Sequence, residues 1–143
     1  MIKRFIFFLF LFSFSFSSFS QKKCDNAFKK LNKIEKLIFK DSEKAFNQLD
    51  KLKQGCSELN FIISICDIYF KYKKYNELID LLNSNWSIYL PENVVIQYFN
   101  SCIITNNYQS ALDIINLYPN GYKFPLLVNE KINKIMFAIT QLN

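Results

Sequence analysis

The sequence predicts an all-α protein built from antiparallel helical hairpins, and three observations carry that prediction. Only two glycines and three prolines occur in 143 residues, too few for a β protein that must turn about every 8 to 12 positions. Apolar residues recur at three- and four-residue intervals in successive segments, which places them on one side of a helix. Finally, "KKYNELIDLL" at 73–82 returns as "NNYQSALDII" at 106–115, 33 positions later.

The first 20 residues stand apart. A basic start, Met1 to Arg4, precedes the apolar run "FIFFLFLF" and a Ser/Phe stretch, the layout of a cleaved signal peptide. The run is shorter than the ~20 residues that span a bilayer, and Ser18 and Ser20 suit cleavage before Gln21. The expected product, residues 21–143, is a single domain exported to a periplasm or secreted. Without Lys3 and Arg4, 18 cations become 16 against 12 acids, a formal charge of +4. Residues 22–74 hold 13 Lys and 7 acids, whereas residues 75–143 hold 3 Lys and 5 acids.

Over 26–40, Ala27, Leu31, Ile34 and Ile38 share one side of a helix, with Lys29, Lys33, Lys36 and Lys40 opposite. That lysine row is either a solvated helix back or a contact surface for anionic lipid, glycan or acidic protein. Asp41 or Ser42 is placed to cap a second helix with Ala45, Leu49 and Leu52 on its stripe, and Gly55 to end it in a left-handed conformation. Ser57 is placed to cap a third, whose apolar side is Phe61, Ile62, Ile65, Cys66, Ile68, Tyr69 and Tyr72. A short fourth helix carries Leu78, Ile79, Leu81 and Leu82, and Trp86 follows in a longer connection, where a scaffold would pack it against that helix. Pro91 suits the first turn of a fifth helix with Val94, Val95, Tyr98, Phe99 and Cys102. A sixth carries Ala111, Leu112, Ile114 and Ile115. After the break "YPNGYKFP", Pro125 opens a last helix with Val128, Ile132, Ile135, Ile139 and Leu142. Short connections make neighbours antiparallel, giving hairpins over about 26–55, 58–84 and 91–118 and a capping helix over about 125–142.

A shift of 33 superposes both helices of a pair and the turn between them. Ile62 falls on Val95, Phe70 on Ile103, Tyr75 on Tyr108, Leu78 on Ala111, Asp80 on Asp113 and Leu82 on Ile115. A further step back lays Ala45, Phe46 and Leu49 on Leu78, Ile79 and Leu82. The run Asn107, Tyr108, Gln109, Ser110, Ala111 resembles the opening of the second helix in the tetratricopeptide repeat, a helix-turn-helix unit of about 34 residues. Lys74 to Leu78 resembles it more loosely.

That resemblance implies a short TPR-like α-solenoid, in which the first helices of successive pairs line a groove for a peptide or partner segment. Its groove-facing positions would be Asn60, Asp67, Phe70 and Lys71 on the third helix and Asn93, Asn100 and Ile104 on the fifth, with Ile63, Ile96 and Ile103 divided between groove and core. One subclass of the family grips free carboxylates with a lysine and an asparagine at positions that here hold Ile63 and Asp67. An apolar or mixed segment is therefore the expected occupant.

Four cysteines in an exported chain allow two disulfides. In an antiparallel first hairpin the ends carrying Cys24 and Cys56 meet, so these two are expected to pair. Cys66 and Cys102 either bridge neighbouring hairpins or remain small buried thiols. With no His and no closely spaced cysteine pair, no metal is expected. Lack of His also removes the usual general base, and no glycine-rich loop cradles a phosphate. The chain is therefore expected to be a non-enzymatic interaction scaffold without a cofactor, with a protein or peptide as its partner. Nucleic acid is not an expected partner, because export removes the chain from it and no aromatics interleave with the lysine row. The membrane enters only through the signal peptide or weak surface attraction. The competing expectation is a small secreted helical inhibitor or immunity-type protein acting through a surface patch.

Overall fold

The structure, a computed structural model, describes residues 23–87, 89–119 and 122–142. The signal peptide expected over 1–20 lies outside the described residues. Among them are seven helices and no strand: α1 (23–38), α2 (Ser42–Leu52), α3 (Leu59–Lys71), α4 (Tyr75–Asn85), α5 (Glu92–Thr105), α6 (Tyr108–Ile115) and α7 (Leu126–Leu142). A 3₁₀ turn, Lys53–Gly55, extends α2. The chain divides into two compact units, Met1–Ile62 and Ile63–Asn143.

In the first unit the stripe of α1 is buried at Cys24, Ala27, Leu31, Ile34 and Ile38, and α2 buries Ala45 and Leu49. Asp41, rather than Ser42, caps α2: its Oδ1 accepts from the Lys44 N–H at 3.0 Å, satisfying a donor that the first turn leaves unpaired. Gly55 departs from expectation, since its φ is not left-handed. The helix tightens into the 3₁₀ turn instead, and Cys56 leaves it extended at φ −151° and ψ 131°. That path brings Cys56 to Cys24, and the two form the expected disulfide with their Cα atoms 5.1 Å apart. The start of α1 thus meets the chain leaving α2, which makes the hairpin antiparallel. The Phe28 and Phe61 rings pack edge to face at 5.2 Å. Helix α3 begins from Glu58, whose carbonyl accepts from Phe61 and Ile62 at 3.0 and 3.1 Å, one residue beyond the expected Ser57 cap.

The second unit centres on α5, which packs against α4, α6 and α7. Pro91 is its N-cap and lies just outside the first turn, its carbonyl accepting from Val94 and Val95 at 3.0 and 3.2 Å. Helix α5 buries Val94, Val95, Tyr98, Phe99, Ser101 and Cys102. Helix α3 buries Phe61, Ile62, Ile65, Cys66, Ile68 and Tyr69, the same six positions one period earlier. Within that set, Cys66 and Tyr69 correspond to Phe99 and Cys102. Each helix therefore buries one small and one large side chain a turn apart, in opposite order, which conserves volume.

The turns repeat as closely as the buried faces. Lys73 and Asn106 have φ of 59° and 55°. The Lys73 N–H donates to Phe70 O at 3.1 Å and the Lys74 N–H to Tyr69 O at 2.8 Å; one period later Asn106 donates to Ile103 O at 3.3 Å and Asn107 to Cys102 O at 2.9 Å. These bonds satisfy carbonyls that a helix C-terminus leaves open. The second helices then begin at Tyr75 and Tyr108, and α2 begins at Ser42. All three starts keep the 33-residue interval, so the first hairpin shares the period although its sequence similarity is confined to α2.

Candidate functional site

In the second unit α3 and α5 are joined on their exposed side by a side-chain bond, with Gln97 Nε2 donating to Asp67 Oδ1 at 2.9 Å. Periodicity alone aligns Asp67 with Asn100; the structure pairs it with Gln97, one turn earlier, because the stagger between two packed helices is not contained in a repeat shift. Gln97 was not singled out from the sequence, and its 30-residue separation from Asp67 leaves no mark there. The orientation of its amide is fixed by chemistry, since a reversed amide would set oxygen against carboxylate. Its Oε1 is buried without a hydrogen-bond partner among the described residues.

Around this bond the expected groove residues divide. Lys71 and Asn93 are exposed, Asn100 is half-buried, and Ile104 keeps 54% of its surface in water. Phe70 is half-buried with its ring 5.8 Å from Tyr75. Ile63, Ile96 and Ile103 are half-buried. Asn60 is exposed but belongs to the first unit. The geometry thus brings Asp67 and Gln97 together, with Lys71 one turn along α3, and Asn100 and Ile104 further along α5.

The aromatic side chains behind α5 hold it in place. Tyr98, fully buried, shares its one hydroxyl proton between Asn83 Oδ1 at 2.6 Å and Ser110 O at 3.0 Å, bracing α5 against α4 and α6. Trp86, expected against α4, makes its ring contacts with α5 and Tyr118. Its ring lies 5.0 Å from Tyr98 and 6.5 Å from Phe99 on α5, and 6.4 Å from Tyr118, because the chain leaves α4 extended at this residue.

Cys66 and Cys102 are free buried thiols, not a bridge. Burial pushes both up to about 12, helped at Cys66 by the neighbouring Asp67 charge and opposed at Cys102 by a bond with the Tyr98 hydroxyl. A thiol held protonated is a poor nucleophile. Cys24, Cys56 and Glu58 gather possible ligand atoms within 4.8 Å of one another, but sulfurs joined to each other offer no thiolate to a metal. The four lysines Lys29, Lys33, Lys36 and Lys40 are all exposed, and Lys33 lines a cleft between α1 and α2.

Comparison with protein-family models, with curated proteins and with solved structures finds no match. Among the described residues no helix is long and apolar enough to cross a membrane.

Proposed function

We propose that the chain is an exported, non-enzymatic interaction scaffold, its hairpins stacked as a short solenoid similar to the tetratricopeptide repeat. In this reading α3 and α5 hold a segment of a partner protein along the side that carries Asp67, Gln97, Lys71, Asn100 and Ile104. The observation that supports it most is the shared set of six buried positions in α3 and α5. Identical burial leaves the complementary positions outward at the same interval, and there the copies differ: Asp67 against Asn100, and Lys71 against Ile104. A repeat that keeps its buried face and varies its outer one is suited to recognition by position.

A partner recovered from the exported compartment supplies the test. Asp67→Lys combined with Ile104→Glu alters two exposed side chains and leaves the core intact, so the variant should fold and lose the partner. Retained affinity in a folded variant would refute the use of this face. A second reading, an inhibitor or immunity-type protein that acts through a patch, is favoured by the exposed apolar residues of α7, where Leu126 is 84% and Phe137 67% exposed. Loss of the partner on Phe137→Asp, with Asp67 and Ile104 untouched, would favour that reading.

A further inference from the structure

Three lysines from two helices meet at a cleft in the first unit: Lys30 and Lys33 of α1 and Lys51 of α2. Between them Ile34, Leu37 and Leu52 form an apolar floor, with Gln48 completing the lining of a cavity of about 510 Å³. Among the described residues none of these lysines has an ion pair. Asp50, the acid nearest to Lys51 in sequence, is bonded to Lys53 at 3.2 Å. Like charges on both rims repel one another, and an anion between them relieves that repulsion. The walls are held in place, because the Cys24–Cys56 disulfide closes one end of the hairpin and Asp41 caps α2 at the other.

The shape selects among anions. A small-molecule site encloses most of its ligand, whereas this cleft is open along one side and would leave a small amphiphile largely in water. A chain segment can cover the floor with one apolar side chain while setting carboxylates at both rims. We propose that the α1–α2 cleft docks an acidic segment of a partner protein, its apolar side chain against Ile34, Leu37 and Leu52 and its carboxylates paired with Lys30, Lys33 and Lys51. The site is made only of first-unit residues and does not depend on the face of α3 and α5.

The test is fluorescence anisotropy of a labelled Glu-Glu-Leu-Phe-Glu-Glu peptide against the protein expressed from its full-length reading frame. Saturable binding is expected, weakened about tenfold or more by Lys33→Glu with Lys51→Glu, since two exposed attractions become repulsions. Replacing Leu-Phe by Ser-Ser in the peptide should weaken binding about tenfold as well, through loss of apolar burial. Circular dichroism verifies the fold, and Lys30→Gln with Lys51→Gln, which removes charge without reversing it, repeats the loss should charge reversal disturb the helices. Three outcomes overturn the proposal: no saturable binding of the Leu-Phe peptide, equal binding of the Ser-Ser peptide, or binding that the lysine variants leave unchanged. Binding to phosphatidylglycerol vesicles in place of the peptide would assign the lysines to a membrane surface and overturn it too.

Discussion

Lys73 and Asn106 stand 33 residues apart and are the non-glycine residues of positive φ among the described residues. Each closes a first helix, and each is followed by a second helix that begins on a tyrosine. The position demands the left-handed conformation, and the two residues meet that demand unequally. Lysine bears a Cβ penalty of about 1 kcal/mol there, whereas asparagine tolerates the region better. Lys73→Gly should therefore raise stability by about 0.5–1 kcal/mol and Asn106→Gly by less, read as shifts in the urea midpoint. A destabilising Lys73→Gly would show that the turn does not need this conformation.

Tyr98→Phe keeps the ring among Trp86 and Phe99 and deletes only the hydroxyl that reaches Asn83 and Ser110. Removing one partner of a buried bond leaves an acceptor unsatisfied. The expected loss is about 1–2 kcal/mol in denaturant unfolding. An unchanged midpoint would mean that water replaces the hydroxyl at no cost.

The two free thiols predict an alkaline weakness. In the unfolded chain they titrate near 9.0, and burial pushes them up to about 12 in the folded one. Between those values the folded state holds protons that the unfolded state has lost, so stability is complete below the lower value and falls as pH rises through the window. Two such groups give a slope of up to about 2.7 kcal/mol per pH unit. Cys66→Ala with Cys102→Ala should reduce it, leaving above about pH 10 the part due to Tyr98, whose hydroxyl burial also pushes up from 10.0, and urea midpoints followed upward from neutral pH measure the difference. Native protein should also resist alkylation at both thiols until it unfolds.

Reduction of Cys24–Cys56 reopens a loop whose ends are 32 residues apart in sequence, and chain entropy sets the cost at about 3–4 kcal/mol. Cys24→Ser with Cys56→Ser should match the reduced protein in thermal unfolding. Equal stability of the oxidised and reduced forms would show that packing of α1 on α2 suffices without the crosslink.

The helices and the Cys24–Cys56 pairing were legible because each rests on local signals: apolar spacing, caps, and the meeting ends of one hairpin. The third copy of the period was harder to see. Helix α1 buries Cys24, Ala27, Leu31, Ile34 and Ile38, which are not the positions α3 and α5 bury, so a 33-residue shift finds no match in it. Gly55 misled because a glycine after a helix suggests a left-handed stop, while the disulfide required an extended exit at Cys56. The Asp67–Gln97 bond and the gathering of Lys30, Lys33 and Lys51 depend on how two helices meet. Periodicity within one helix carries no record of that stagger, which is why the lysine row read along α1 did not anticipate Lys30 or Lys51.

The face of α3 and α5 is the centre of the proposed function, and photo-crosslinking in the native compartment tests it most directly. A benzophenone side chain placed at Lys71 or Ile104, both exposed, should capture one and the same partner, while the same group at Phe137 on α7 captures none. Capture from Phe137 with none from Lys71 or Ile104 would contradict the groove and leave the patch on α7 as the binding surface.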